Sequence, residues 1–232
     1  MWSLPPDLIY RQLRRAQATV HLLHPLETDA VLDVGCAEGY VTGFLSRTRI
    51  TVGMDIAVDS LMQARARIDS VEVEFVGADA TRLPFRDGAF TKAVVLEILE
   101  HLPEANQRML AHEVDRVLKE NARLAISVPW KERITYTKCV HCGNLTPLWG
   151  HLHSMDEEKV VSILPGHFVL LRSIHLPNLG LVSLASVFKH LPFKLWLCLN
   201  DILGLLRKGY GSYSYFRDRP RVSSACWEVY LG

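Results

Sequence analysis

No run of roughly 18 uncharged apolar residues occurs in the 232-residue chain, and crossing a bilayer core as a helix takes about 20. A spanning helix is therefore not expected. The opening Met1-Trp2-Ser3-Leu4-Pro5-Pro6 lacks the basic stretch, apolar stretch and small-residue cleavage site of an export signal, so none is expected. Net charge is almost absent: 26 Lys and Arg stand against 25 Asp and Glu, a formal +1. Such a balance makes no electrostatic case for a nucleic-acid partner, and none is expected. Cysteine is sparse and odd in number, five in a chain of this length. That argues against a disulfide framework and points to a reducing, cytoplasmic setting. Internal repeats and low-complexity tracts are also missing.

What the chain has in quantity is apolar residues, 49% against 22% charged. That suffices for one packed core, and residues 1–232 read as a single domain. Helical spacing covers 7–23, after two prolines and with Asp7 placed as a cap, inside an N-terminal helical extension over 1–27. Apolar runs at 30–34, 50–54, 72–76, 91–96 and 123–128 alternate with helical segments at 38–46, 58–68 and 104–118. Strands without polar alternation suit a sheet covered on both faces, and their alternation with helices implies parallel pairing. The expected fold is a doubly wound α/β sandwich. Beyond 128 the character changes. Residues 129–155 read as a long loop bearing cysteines and histidines, 156–164 as a short helix, and 168–176 and 223–231 as two further strands. Residues 177–221 read as an apolar helical insertion or cap.

The stretch Val31-Leu32-Asp33-Val34-Gly35-Cys36-Ala37-Glu38-Gly39-Tyr40 runs from strand through tight turn to helix. Glycine permits positive φ and close approach of a ligand, and open α/β sheets bind ligands at the carboxyl ends of their strands. A glycine turn can equally be structural; its surroundings narrow the choice. Asp33 would repel a pyrophosphate and attract an ammonium group. Tyr40 stands where a dinucleotide fingerprint has its last glycine, which disfavours a nicotinamide-linked oxidoreductase. Asp55, at the end of the second strand, suits the hydroxyls of a ribose. Asp79, after the third, suits the exocyclic amine of adenine. Together they describe an adenosine carrying an amino acid.

Three further segments complete a pattern: Leu83-Pro84-Phe85-Arg86-Asp87-Gly88-Ala89-Phe90, Leu99-Glu100-His101-Leu102 and Arg116-Val117-Leu118-Lys119. Over about residues 28–130 the chain resembles class I S-adenosylmethionine-dependent methyltransferases, in the group whose fourth strand runs into a Leu-Glu-His segment. The resemblance implies a Rossmann-like seven-stranded sheet, mostly parallel with an antiparallel last strand. It also implies S-adenosylmethionine as cofactor and in-line methyl transfer. By the same resemblance, Asp33, Gly35, Cys36, Ala37 and Gly39 surround the methionine end and Asp55 holds the ribose. Ile56 lies beside the adenine, Asp79 and Ala80 meet its edge, and Leu96 and Glu97 approach the sulfonium. Three positions depart from the pattern. Ala37 replaces the middle glycine, which a negative φ would tolerate. Thr91 stands where aspartate is common, on what reads as the cofactor half. Lys119-Glu120-Asn121-Ala122 lacks the usual glycine turn.

Cys139 and Cys142, with His151 and His153 following, have the spacing of a four-ligand structural zinc site that Trp149 would shield. Two buried thiols with surface histidines, or a redox disulfide, are the alternatives. In the cap, Phe188, Leu191, Leu195, Leu199, Ile202 and Leu206 fall at helical spacing. A lid, a membrane-interface helix over 181–206, a homodimer surface or a subdomain packed on the sheet would each produce that stripe. The expected acceptor is a small, apolar or lipid-like molecule. His101 is the titratable candidate for a catalytic base, although a histidine opening a helical segment also serves structure. A binding or regulatory module that keeps the fold without turnover is the rival reading.

Overall fold

A strand sends successive side chains to opposite faces, so strands apolar throughout must be covered on both. The computed structural model describes residues 6–176, 190–204 and 212–218, and it shows this arrangement. β1 (Ala30–Val34), β2 (Ile50–Asp55) and β4 (Phe90–Leu96) are almost entirely buried. Leu32, Val34, Met54 and Val95 pack with Leu110, Ala111, Val114 and Val117 of helix α4 (Glu104–Val117). From the other face, Val31, Val94, Leu96 and Ala125 meet Ala16 and Leu23 of α1 (Pro6–Leu23) and Val41 of α2 (Tyr40–Phe44). Helix α3 (Val58–Arg67) follows β2, and β3 (Val73–Gly77) pairs with β2 in parallel.

The main sheet has seven strands in the order β3-β2-β1-β4-β5-β9-β8. The first five are mutually parallel, and β9 runs antiparallel to both its neighbours. β5 spans Leu118–Val128, β8 Phe168–His175 and β9 Ser212–Asp218, with α5 (Glu157–Ile163) preceding β8. Among the described residues the antiparallel strand of the sheet is β9, at Ser212–Asp218. It falls inside 177–221, the stretch expected to be an insertion. Ser212-Tyr213-Ser214-Tyr215-Phe216 carries the period-two alternation of a strand, which the reading of this stretch as an apolar cap hid. Residues 223–231 lie outside the described residues.

Two departures from the family pattern find their physical reason at the far, amino-terminal edge of the strands. Asn121 has φ 61, so asparagine, among the non-glycine residues that best tolerate this region, supplies the turn that glycine would. Between Phe90 and Lys92 the β4–β5 register shifts, which admits the longer β5. Thr91 is the second residue of β4, remote from the carboxyl edge; its expected place on the cofactor half is corrected. Its hydroxyl donates to Asp29 at 2.8 Å and accepts from the Ala30 amide at 3.1 Å. Burial alone would raise the Asp29 carboxyl, but hydrogen bonds from Lys92, the Leu26 amide and Thr91 outweigh it and lower its pKa.

The 129–155 stretch contains a second, two-stranded sheet, β6 (Tyr136–Lys138) with β7 (Leu145–Pro147). Within the cap, helix α6 (Phe193–Gly204) turns Trp196 and Leu197 into a cluster with Tyr10, Ala18 and Leu22 of α1 and Ile174 of β8. The Trp196 indole donates to the Tyr10 hydroxyl at 2.5 Å, and the buried Arg14 guanidinium lies 4.8 Å from the indole ring. This part of the cap is thus packed on the domain; 177–189 and 205–211 lie outside the described residues. Replacing Trp196 with Ala removes the centre of that cluster. It should cost about 3–5 kcal/mol, measured by urea unfolding, with α1 and α6 losing protection from hydrogen exchange together.

Candidate active site

Parallel register brings the strand ends to one level. Val34 pairs with Met54 on one side and Val95 on the other, so the segments after β1, β2 and β4 emerge side by side. The turn after β1 is then lashed to β2. The amides of Gly35 and Cys36 donate to the Met54 carbonyl at 2.7 and 2.9 Å, and the Ala37 amide donates to Asp55 Oδ2 at 2.8 Å. Asp55 Oδ1 accepts from the Ala57 amide at 2.8 Å. Each carboxylate oxygen has a second lone pair, so Asp55 can still accept from a ligand. Ile56 beside it is 74% exposed, an aliphatic surface left open where a flat ring could lie.

Gly35 cannot be replaced. Its φ is 69, and a Cβ there would sit 2.4 Å from Cδ1 of Ile98, in the segment after β4. Ala37 was expected to need a negative φ; it has φ 46. That is the left-handed region, which costs an L-residue roughly 1–2 kcal/mol. Cys36 is buried, and burial pushes its thiol pKa up, so it is a packing residue and not a nucleophile.

Asp33 is 2% exposed, and its carboxylate accepts from the Thr42 hydroxyl at 2.7 Å. Burial pushes its pKa up to about 7, opposed by the Thr42 hydrogen bond and assisted by the charge of Asp55. Asp79 is exposed after β3, and its Oδ1 accepts from both the amide and hydroxyl of Thr81 at 2.8 Å, which aims the carboxylate and lowers its pKa. Ala80 follows it, half-buried. Leu96 is buried at the end of β4. Glu97, at φ 54, accepts from Ser127 at 2.7 Å and pairs with Arg15 at 3.1 Å.

The Leu-Glu-His segment forms a 3-10 turn, Leu99–His101. Glu100 is 1% exposed, and neither of its carboxylate oxygens has a hydrogen-bond partner. Burial, with Glu97 adding to it, pushes its pKa up to about 8. The stretch after the β6–β7 hairpin folds back over this turn: the amides of Leu152 and His153 donate to the Glu100 carbonyl at 2.7 and 3.3 Å. His151 arrives edge-on against His101, with ring centres 4.7 Å apart.

The expected zinc set is not assembled. Among the described residues, no group of three or more side chains able to hold a metal includes Cys139 or Cys142; His151 instead groups with Glu100 and His101. The cysteines sit on the hairpin turn, where the Gly143 amide donates to the Cys139 carbonyl at 2.9 Å. Backbone amides of Cys142 and His141 lower the Cys139 thiol. Trp149 is 67% exposed and shields nothing. His153 Nε2 is buried without a hydrogen-bond partner, apart from the cysteines. Sequence reasoning passed over Thr42, Glu100 and Glu132. The signal for Glu100 was available: a carboxylate set between Leu99 and Leu102, just past the apolar end of a buried strand. A cleft of about 730 Å³, lined by Gln17, Glu38, Gly39, Tyr40, Phe44 and Arg67 among others, lies between α1, α2 and α3 and reaches the turn after β1 at Gly39; we assign it no chemistry.

The arrangement matches known proteins. Residues 31–121 match the methyltransferase-domain family. The methyltransferase GfsG of Streptomyces halstedii is 39% identical over 103 residues, 42% of this chain and 36% of that protein. The O-methyltransferase cnsE of Penicillium expansum is 31% identical over 111 residues, 45% of this chain and 40% of that protein. The fold superposes on a SAM-dependent methyltransferase from Methanosarcina mazei with TM-score 0.62 at 18% identity, covering 86% of this chain and 96% of that one. The chain thus carries a methyltransferase domain over residues 31–121. Its matched region spans between a third and a half of these two curated relatives.

Two substitutions test the turn. Glycine in place of Ala37 relieves the left-handed strain but adds freedom to the unfolded chain, so Ala37→Gly should stabilise by about 0.5–1 kcal/mol, read as a raised Tm. Asp33 governs a pH term. Its folded pKa is raised above the unfolded 3.8, so the folded state holds a proton that the unfolded state has lost, and cofactor-free stability falls as pH rises from about 4 to 7. Asp33→Asn keeps an oxygen for Thr42 and stays neutral. Its stability relative to the parent should grow over that window and level off above it, and a constant difference would refute the assignment.

Proposed function

We propose that this methyltransferase moves a methyl group from S-adenosylmethionine to a hydroxyl oxygen of a small molecule. The observation that carries the cofactor part is the row of carboxylates Asp33, Asp55 and Asp79 at or just beyond the ends of β1, β2 and β3 around a glycine turn. The residues present fit that cofactor. Asp55, already aimed by two amides, accepts from the ribose, and Ile56 covers the adenine face. Asp79 and Ala80 meet the adenine edge. Gly35, Cys36, Ala37 and Gly39 line the methionine end, where Asp33 faces a positive charge that offsets what burial and Asp55 cost it. Leu96 and Glu97 border the sulfonium region.

Bound S-adenosylmethionine supplies a methyl group already activated by its sulfonium. The chain's own residues then have two tasks, alignment of the acceptor and exclusion of water. The end of β4 divides the site. Ile98 packs against the turn at Gly35, while Glu100, His101 and His151 lie beyond it. That far side is acidic and imidazole-bearing, which suits a hydroxyl acceptor better than a purely apolar one. His101, half-exposed there, is the candidate to hold the hydroxyl proton. The similarity to cnsE, an O-methyltransferase, supports oxygen as the acceptor atom. The inward packing of Trp196 and Leu197 supports the cap as structure more than as a membrane or dimer face. Among the described residues no helix is long and apolar enough to cross a membrane. The near-neutral charge and scarce cysteines support a cytoplasmic setting.

Calorimetric titration with S-adenosylhomocysteine tests the cofactor assignment. Asp55→Ala should weaken binding about 5- to 150-fold, the loss of 1–3 kcal/mol from a charged acceptor. An affinity equal to the parent's would overturn it, and binding without turnover across a panel of hydroxylated acceptors would favour the regulatory module.

A further inference from the structure

Methyl transfer asks at most a proton acceptor of His101 and gives no reason for Glu100 and His151 to converge on it. Glu100 is buried, and both its carboxylate oxygens lack a hydrogen-bond partner. A carboxylate taken from water and left unsatisfied is costly, so the position makes sense only if something else meets it. His101 Nε2 lies 3.9 Å from Glu100 Oε1. One ligand atom from each of Glu100, His101 and His151 falls within 4.8 Å of the others. Atoms sharing one ion at 2.0–2.2 Å lie about 3–4 Å apart, a difference that small side-chain rotations close.

The orientation of the two imidazoles is the second, independent observation. His101 Nδ1 bonds to the Gly150 carbonyl at 3.2 Å, and His151 Nδ1 bonds to the Glu132 carboxylate. Carbonyls and carboxylates only accept, so in each ring Nδ1 carries the proton and Nε2 the lone pair. Metal-binding histidines are held this way, with the far nitrogen donating to a carbonyl or carboxylate that fixes the tautomer. Both imidazoles of the cluster that contains the orphaned carboxylate are thus left with a lone pair on Nε2, and that of His101 lies 3.9 Å from Glu100 Oε1.

We propose that Glu100, His101 and His151 bind a divalent first-row transition-metal ion such as zinc, cobalt or manganese, with Glu132 as a positioning residue. Two imidazoles with one carboxylate suit these ions, whereas magnesium and calcium favour all-oxygen sets. Three protein ligands leave coordination positions open. Resting on the hydroxyl-acceptor reading, the open positions take the acceptor's oxygen; the metal orients it and favours its ionised form, in place of His101, whose lone pair the ion occupies.

The whole chain, stripped with a chelator, is titrated with cobalt(II) and followed by visible absorption and calorimetry. One equivalent should bind, with nitrogen and oxygen ligation. Glu100→Gln and His151→Gln should abolish that binding, and Glu132→Gln, which spares all three ligands, should weaken it about 10- to 100-fold. The double variant Cys139→Ser, Cys142→Ser should bind as the parent does. Thermal melts check folding, and His101→Gln replaces any ligand variant that does not fold. Parallel titration with S-adenosylhomocysteine keeps the two readings apart, because Glu100→Gln should leave that affinity unchanged. Failure of the parent to bind cobalt, or binding lost with the cysteines and kept in Glu100→Gln, overturns the site.

Discussion

The Asp55 carboxylate is the point on which the site depends. One side chain, at the end of β2, receives the Ala37 amide from one turn and the Ala57 amide from the next. It therefore fixes the turn after β1 and the start of α3 with respect to each other before any ligand arrives. Such preorganisation spares a ligand the entropy of ordering the loop. It also accounts for an alanine at φ 46: the Ala37 amide is bonded to Asp55, and the amides of Gly35 and Cys36 are bonded to Met54, so the surrounding turn holds it there.

The two ends of the sheet divide labour. At the carboxyl edge, buried acids such as Asp33 and Glu100 are left without a cation beside them, and their pKa values rise. At the amino edge, Asp29 has Lys92, Thr91 and the Leu26 amide, and its pKa falls. These carboxyls differ both in how deeply they are buried and in the partners that meet them. The satisfied end is the stabilising one, and the unsatisfied end is where chemistry is expected.

Much of this was legible in the chain. β1 begins and ends where its run of apolar residues does, with Asp33 the single polar residue inside it, because a parallel strand buried on both faces is apolar nearly throughout. The places of Asp55 and Asp79 at or just beyond the ends of β2 and β3 were legible from the apolar runs that precede them. The failures have physical causes. β9 alternates polar and aromatic residues within an otherwise apolar stretch, so composition masked period. Asn121 did glycine's work, which a search for glycine cannot see. The cysteines had metal-like spacing along the chain, but the hairpin carries them away from the histidines. Which side chains converge there depends on how residues 150–153 fold back over Glu100, a long-range fact with no local signal.

The insertion of β9 between β5 and β8 has a consequence for how the molecule is made. β8 has no strand of its own to pair with until β9, synthesised later, lies down between it and β5. The five parallel strands can close on one another first, through short crossovers, while β8 waits with an unpaired edge. The last third of the chain is therefore the slow, high-contact-order step and the part most exposed to mispairing with a neighbour.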